Sequence, residues 1–157
     1  MIPKIEKILY ATDLSANAHY AFGYALSMAL AHNAKISIIN VYEKLTSNRN
    51  IEMRSVDFQT AKTLLTDKIK ERLQIYREKE NIEECLYEKL IENIYVAAGS
   101  PVDEVVKQAK AGAFDLIVAG THGHGFLYST LMGSTAKKIV QQSEIPVLVV
   151  RIPDKRQ

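Results

Sequence analysis

One cysteine in 157 residues, Cys85, excludes a disulfide framework and a cysteine metal cluster within a single chain. An excess of charge of one sign is almost missing as well. Lys and Arg number 20 against 18 Asp and Glu, a net of +2, and along the middle of the chain the cations are interleaved with glutamates. No basic stripe is left for a nucleic acid to follow. The longest apolar run, residues 21–31, is too short and too rich in small side chains to cross a bilayer. No secretory leader is read at the start, because Pro3, Lys4, Glu6 and Lys7 lead straight into a strand. The expectation is a cytoplasmic protein with neither membrane nor nucleic acid as partner. Any Gly-Lys-Ser/Thr triplet is also lacking, which rules out a Walker loop.

What remains is enough chain for one ordinary domain, able to bury about 70% of its unfolded surface. Apolar content of 47% with 24% charged residues fits a globular protein. Residues 5–12 read as a first strand. Asp13, Ser15 and Asn17 then offer three N-caps for a helix over residues 18–32, in which Phe22, Ala25, Leu26, Ala29 and Leu30 form an apolar face. Asn33 suits the left-handed residue that ends such a helix. Lys35–Tyr42 is a second strand, too densely apolar to be half exposed. A polar stretch, residues 44–55, precedes a long helix over residues 56–80 with Ala61, Leu64, Leu65, Leu73 and Tyr76 inward. Its charge run from Asp67 to Lys79 reads as a solvated face. Ile91–Ala98 is a third strand. Gly99-Ser100-Pro101 opens a helix with Ser100 as N-cap and Pro101 at its first position, and Gly112 closes it.

The most informative stretch runs from Phe114 to Arg151. A buried strand ends in Ala119-Gly120, a loop follows, Gly133-Ser134-Thr135 opens a last helix, and Pro146–Arg151 is a fifth strand. Strand, glycine loop and helix start in that order gather unpaired backbone N–H groups, which is how α/β proteins bind phosphate. The dinucleotide fingerprint fails, because Gly123-His124-Gly125 leads into Phe126, Leu127 and Tyr128 with no third glycine. Five strands alternating with four helices predict an open α/β fold, a parallel sheet with helices on both faces. No repeat or linker divides residues 1–157, so a single domain is expected.

Gly120, Gly123, then nine residues, then Gly133-Ser134 resembles the ATP-binding signature of the universal stress protein family, in its nucleotide-binding branch. The resemblance covers nearly the whole chain: the first strand ending in Asp13, Gly99-Ser100-Pro101, the glycine signature, and Ser143–Val150. It implies a Rossmann-like sheet of order 3-2-1-4-5, with a nucleotide beside the switch between strands one and four. It implies ATP as ligand, with Mg2+ or Mn2+ as the expected companion ion and no metal ligand set assigned. Ala11 and Thr12 would pack against the adenine, Ala119 belongs to the same ATP-binding set, the Val41 backbone would meet the adenine edge, and Asp13 would accept from ribose or adenine in preference to capping a helix. Gly120, Gly123, Gly133, Ser134 and Thr135 would line the phosphates. His122 and His124 either contact phosphate, helped by partial protonation near neutral pH, or are plain loop residues. Two histidines alone make a weak metal signal.

Phosphoryl transfer requires a metal-holding carboxylate, a group orienting the nucleophile and a cation on the γ-phosphate. Only Asp13 is evident, so a sensor or regulator is expected. A slow ATPase and a nucleotide-free interaction module are the alternatives. The apolar fifth strand stands at a sheet edge in the family order, and the resemblance implies a homodimer through residues 147–152.

Overall fold

The computed structural model describes residues 1–43, 57–121 and 134–153. Five parallel strands, β1 (Lys7–Ala11), β2 (Lys35–Tyr42), β3 (Ile91–Ala98), β4 (Leu116–Gly120) and β5 (Val147–Val150), form one sheet in the order β3-β2-β1-β4-β5. The open parallel sheet and its order match the expectation. Strand alternation divides the core. Ile8, Tyr10, Ile36, Ile38 and Val118 point to one face, and Leu9, Ile39 and Ile117 to the other.

Helix α1 (Ala18–His32) lies on the first face with Ala21, Phe22, Ala25, Leu26 and Ala29 buried. Leu30 is a correction: it is 52% exposed, one step off that face. Asn33 takes the left-handed conformation (φ 53°), and Ala34 N–H donates back to the Ala29 carbonyl. Helix α2 (Phe58–Lys79) packs beside it, capped by Asp57, whose carboxylate accepts from Thr60 N–H at 2.7 Å. Its inward stripe is Ala61, Leu65, Ile69, Leu73 and Tyr76. Leu64, expected inward, is 61% exposed, because four-residue steps from Ala61 to Leu73 pass it by. The charged run is not wholly solvated either: Arg72 and Arg77 are half-buried and donate to the Ser15 and Ile82 carbonyls.

The four expected helices become five among the described residues. The extra one, α3 (Glu84–Leu90), brings Tyr87 and Leu90 into the first core, with the Tyr87 hydroxyl donating to the Leu73 carbonyl at 2.9 Å. No Gly or Pro separates it from β3, so the sequence carries no mark of the change.

The second face is covered by α4 (Pro101–Ala111) and α5 (Ser134–Gln142), through Val102, Val105, Ala109 and Ile139. Ser100 occupies the N-cap position of α4 with extended geometry, but its side chain makes no cap bond. Gly112 closes α4 at φ −88°, so the left-handed turn falls to Ala113 (φ 52°). A side chain at 112 would stand 2.4 Å from the Phe114 ring, which is why glycine is there. The polar stretch 44–55, and Val56 at the expected start of α2, lie outside the described residues.

Candidate functional site

The chain leaves β1 toward α1 on one face and leaves β4 toward α5 on the other. β1 and β4 are neighbours, with Ala11 opposite Ala119, so a crevice opens between their carboxyl ends. The turn after β1 is fixed by its own polar groups. Thr12 N–H donates to the Ile39 carbonyl at 2.9 Å, and the Thr12 hydroxyl accepts from Leu14 N–H at 3.1 Å. The Asp13 carboxylate accepts from Ser15 N–H at 2.9 Å, the Asx-type turn its short side chain favours. Leu14 stands at φ 60° with its side chain buried. Asp13 is therefore exposed at the crevice, and the N-cap position of α1 belongs to Asn17.

β1 stops short of β2. The last register pair is Ala11 with Ile39, while β2 continues to Tyr42. In a parallel ladder alternate residues turn their backbone groups to the same neighbour. The Ile39 carbonyl meets β1 through Thr12, and the Tyr42 carbonyl meets Gly99 N–H on the β3 side. The Val41 amide and carbonyl thus point toward β1, beyond its end. The groups that would have met them are engaged elsewhere: the Thr12 carbonyl accepts from the Asn40 side-chain amide at 2.9 Å, and Leu14 N–H is held by the Thr12 hydroxyl.

Ala11 is half-buried and Ala119 buried, two methyl-sized side chains at the crevice floor. Gly120 ends β4. A Cβ there would come within 3.1 Å of Ile152 Cδ1 and 3.7 Å of the Ala21 methyl, so the glycine also serves packing. Ser134 and Thr135 are the exposed first residues of α5. His122, Gly123, His124 and Gly133 lie outside the described residues. Of the expected set, Ala11, Thr12, Asp13, Val41, Ala119 and Gly120 share the carboxyl edge of three adjacent strands. The Thr12 side chain is the exception: it turns toward the α1 and α2 face, where it lines a separate cavity. Among the described residues no cluster of three or more His, Cys, Asp or Glu side chains could hold a metal ion.

Sequence reasoning passed over three supports of this site. Asn40 interrupts an apolar strand run, and that polar break was its available signal. Arg72, hidden in a charged run, anchors the turn through the Ser15 carbonyl at 3.0 Å. Thr121 is buried, receives Ile152 N–H on its hydroxyl and donates its own N–H to the Val150 carbonyl, binding the end of β5 to β4. Tyr10 lies beneath the turn with its hydroxyl on the Ala18 carbonyl. Burial first, and the nearby Asp13 charge next among the raising effects, push its phenol well above the usual tyrosine range.

The model of the universal stress protein family matches residues 4–151. The chain belongs to this family. Universal stress protein YxiE of Bacillus subtilis is 32% identical, covering 93% of this chain and 99% of its own. Universal stress protein MJ0577 of Methanocaldococcus jannaschii is 26% identical over 93% of this chain and 94% of its own. The solved structure of MJ0577 superposes with a TM-score of 0.73 at 24% identity, covering 98% of this chain and all of that one. A universal stress protein in complex with cAMP gives a TM-score of 0.61 at 23% identity, covering 95% and 98%. An Arabidopsis thaliana family member with AMP bound gives 0.55 at 15%, covering 96% and 94%. These structures share the Rossmann-like universal stress protein fold, with helices on both faces of the sheet.

Proposed function

We propose that this universal stress protein binds ATP at the carboxyl ends of β1, β2 and β4 and acts as a nucleotide-dependent stress regulator. Its unit is the whole chain, residues 1–157, working in the cytoplasm. The observation that carries the reading is the early end of β1, which leaves the Val41 amide and carbonyl facing the space beside exposed Asp13. One N–H donor next to one C=O acceptor matches the adjacent ring nitrogen and amino group of an adenine edge. Ala11 and Ala119 supply a floor small enough for a flat ring, and Asp13 accepts from a ribose hydroxyl. The first-turn amides and hydroxyls of Ser134 and Thr135, with Gly120, Gly123 and Gly133, take the phosphates, and His122 and His124 are the further candidates for phosphate contact. Family members with cAMP and with AMP bound support an adenine nucleotide, and the glycine signature favours the triphosphate. Mg2+ or Mn2+ would enter with the phosphates.

Three or four charge-assisted phosphate bonds, each about 1.5–3 kcal/mol before ordering costs, suit a Kd of about 1 μM. Calorimetric titration with ATP tests this on the parent, Asp13→Ala and Ser134→Ala. We expect micromolar binding, weakened about tenfold by either change. No binding to the parent at about 1 mM overturns it. Single-turnover hydrolysis separates a regulator from a slow ATPase. Among the described residues β5 pairs with β4 alone, so its outer edge is open to the matching strand of a second copy. Sedimentation at micromolar concentration should show a homodimer through residues 147–152.

A further inference from the structure

On the opposite face of the sheet from Ala11 and Val41 lies a second opening, a cavity of about 240 Å3 between α1 and the C-terminal half of α2. Its apolar wall includes Tyr10, Phe22, Ile38, Ile69, Leu73 and Tyr76. Three of these are aromatic rings already set edge to face or tilted: Phe22 meets Tyr76 at 4.9 Å and 85°, and Tyr10 at 5.4 Å and 51°. A further flat ring extends that cluster, since aromatic pairs favour such geometry. An engineered apolar cavity of about 150 Å3 holds benzene, so this one has room for a ring with a short side chain.

Two polar groups stand in the wall with capacity unspent. Arg72 is half-buried and gives one N–H to the Ser15 carbonyl, from a guanidinium that carries five donors. Among the described residues no carboxylate pairs with it. Tyr76 is also half-buried, and its hydroxyl, 3.0 Å from where a side chain at Gly23 would begin, makes no hydrogen bond among the described residues. A partly desolvated cation with no carboxylate in ion-pair contact favours an anion beside it, and here it must do so against the Asp13 charge, which reaches the same Tyr10 phenol. Lys79 and Glu80, one charge of each sign, stand at the exposed rim; burial first and the Glu80 charge next raise the pKa of the Tyr76 phenol.

We propose that this cavity binds a small aromatic monocarboxylate, its ring among Phe22, Ile38 and Tyr76 and its carboxylate on Arg72 and the Tyr76 hydroxyl. The cavity and the adenine crevice lie on opposite faces of the sheet but share the turn after β1, which Arg72 braces through the Ser15 carbonyl; titrating ATP into Arg72→Met beside cinnamate lets the two readings fail separately.

Cinnamate and its neutral counterpart cinnamyl alcohol are the probes, titrated by ligand-observed NMR into the parent, Arg72→Met and Ala16→Trp, with folding checked by thermal melting. Met keeps the bulk of the stem and removes the charge. Ala16 is exposed at the cavity margin, so Trp there closes the entrance from outside the core. Cinnamate should bind the parent below about 1 mM and should not be displaced by ATP. Arg72→Met should weaken cinnamate about tenfold or more while changing the alcohol little, and Ala16→Trp should weaken both. The proposal is overturned if the parent ignores cinnamate at that concentration, if ATP displaces it, or if Arg72→Met affects acid and alcohol alike.

Discussion

The Asn40 side-chain amide donates to the Thr12 carbonyl at 2.9 Å, substituting for the backbone bond that β2 would otherwise make there. Asn40 is buried, so this one contact both satisfies a desolvated carbonyl and keeps the Val41 amide out of the β1 ladder. Asn40→Ala should destabilise the fold by about 0.5–1.5 kcal/mol, the net worth of one hydrogen bond. It should also weaken ATP, because the Val41 amide can then close onto Thr12. Urea midpoints and calorimetric Kd values check both parts. An unchanged Kd in a destabilised variant would detach Asn40 from the site.

Ser37 presents the reverse case three residues earlier. Its hydroxyl is buried on the α4 side of β2 and finds no hydrogen-bond partner. Removing a group that lost its water without replacement should help the fold. We expect Ser37→Ala to raise stability by about 1 kcal/mol, within the range for an unsatisfied buried polar group. A lower urea midpoint for the variant would mean that the hydroxyl is satisfied in solution.

Gly120 and Ile152 are packed so closely that a methyl at 120 would press on the Ile152 terminal carbon at 3.1 Å. Gly120→Ala should therefore destabilise by about 1–3 kcal/mol through overpacking. Ile152→Val removes that terminal carbon, so the double variant should recover part of the loss. A double-mutant cycle that sums to simple additivity would show that the glycine answers to something other than Ile152.

These residues also mark what the sequence made legible. Strands β2 and β3 are bounded as expected, a turn residue marking one end of each, Asn33 before β2 and Gly99 after β3, and Asn33 also declared the end of α1. Leu30 and Leu64 were placed on the wrong face because each neighbours a true core position, and only packing against the sheet decides between adjacent apolar residues. Helix α3 was invisible for want of a breaker before Ile91. At the site, the end of β4 at Gly120 followed from the glycine signature, whereas β1, expected over residues 5–12, runs only from Lys7 to Ala11. Asn40 and Arg72 act through bonds spanning 28 and 57 residues, and local pattern reading carries no information about such partners.

Alkaline pH should unfold this protein through its buried phenols. Tyr10 and Tyr87 both have pKa values raised above the ordinary 10.0, chiefly by burial, and both donate to backbone carbonyls, Ala18 for Tyr10 and Leu73 for Tyr87. The sign follows from which state ionises first. Below about pH 10 both states keep the protons and stability is complete; above it the unfolded chain releases them while the folded chain cannot. Stability should then fall by up to about 1.4 kcal/mol per pH unit for each tyrosine, until the folded values are reached. Tyr10→Phe separates the two consequences. At pH 7 it should lower stability by about 1 kcal/mol through the lost hydrogen bond. Between pH 10 and pH 11 its urea midpoint should fall less steeply than the parent's. Parallel slopes for parent and variant would show that Tyr10 ionises as readily folded as unfolded, and would place water where the structure has a packed ring.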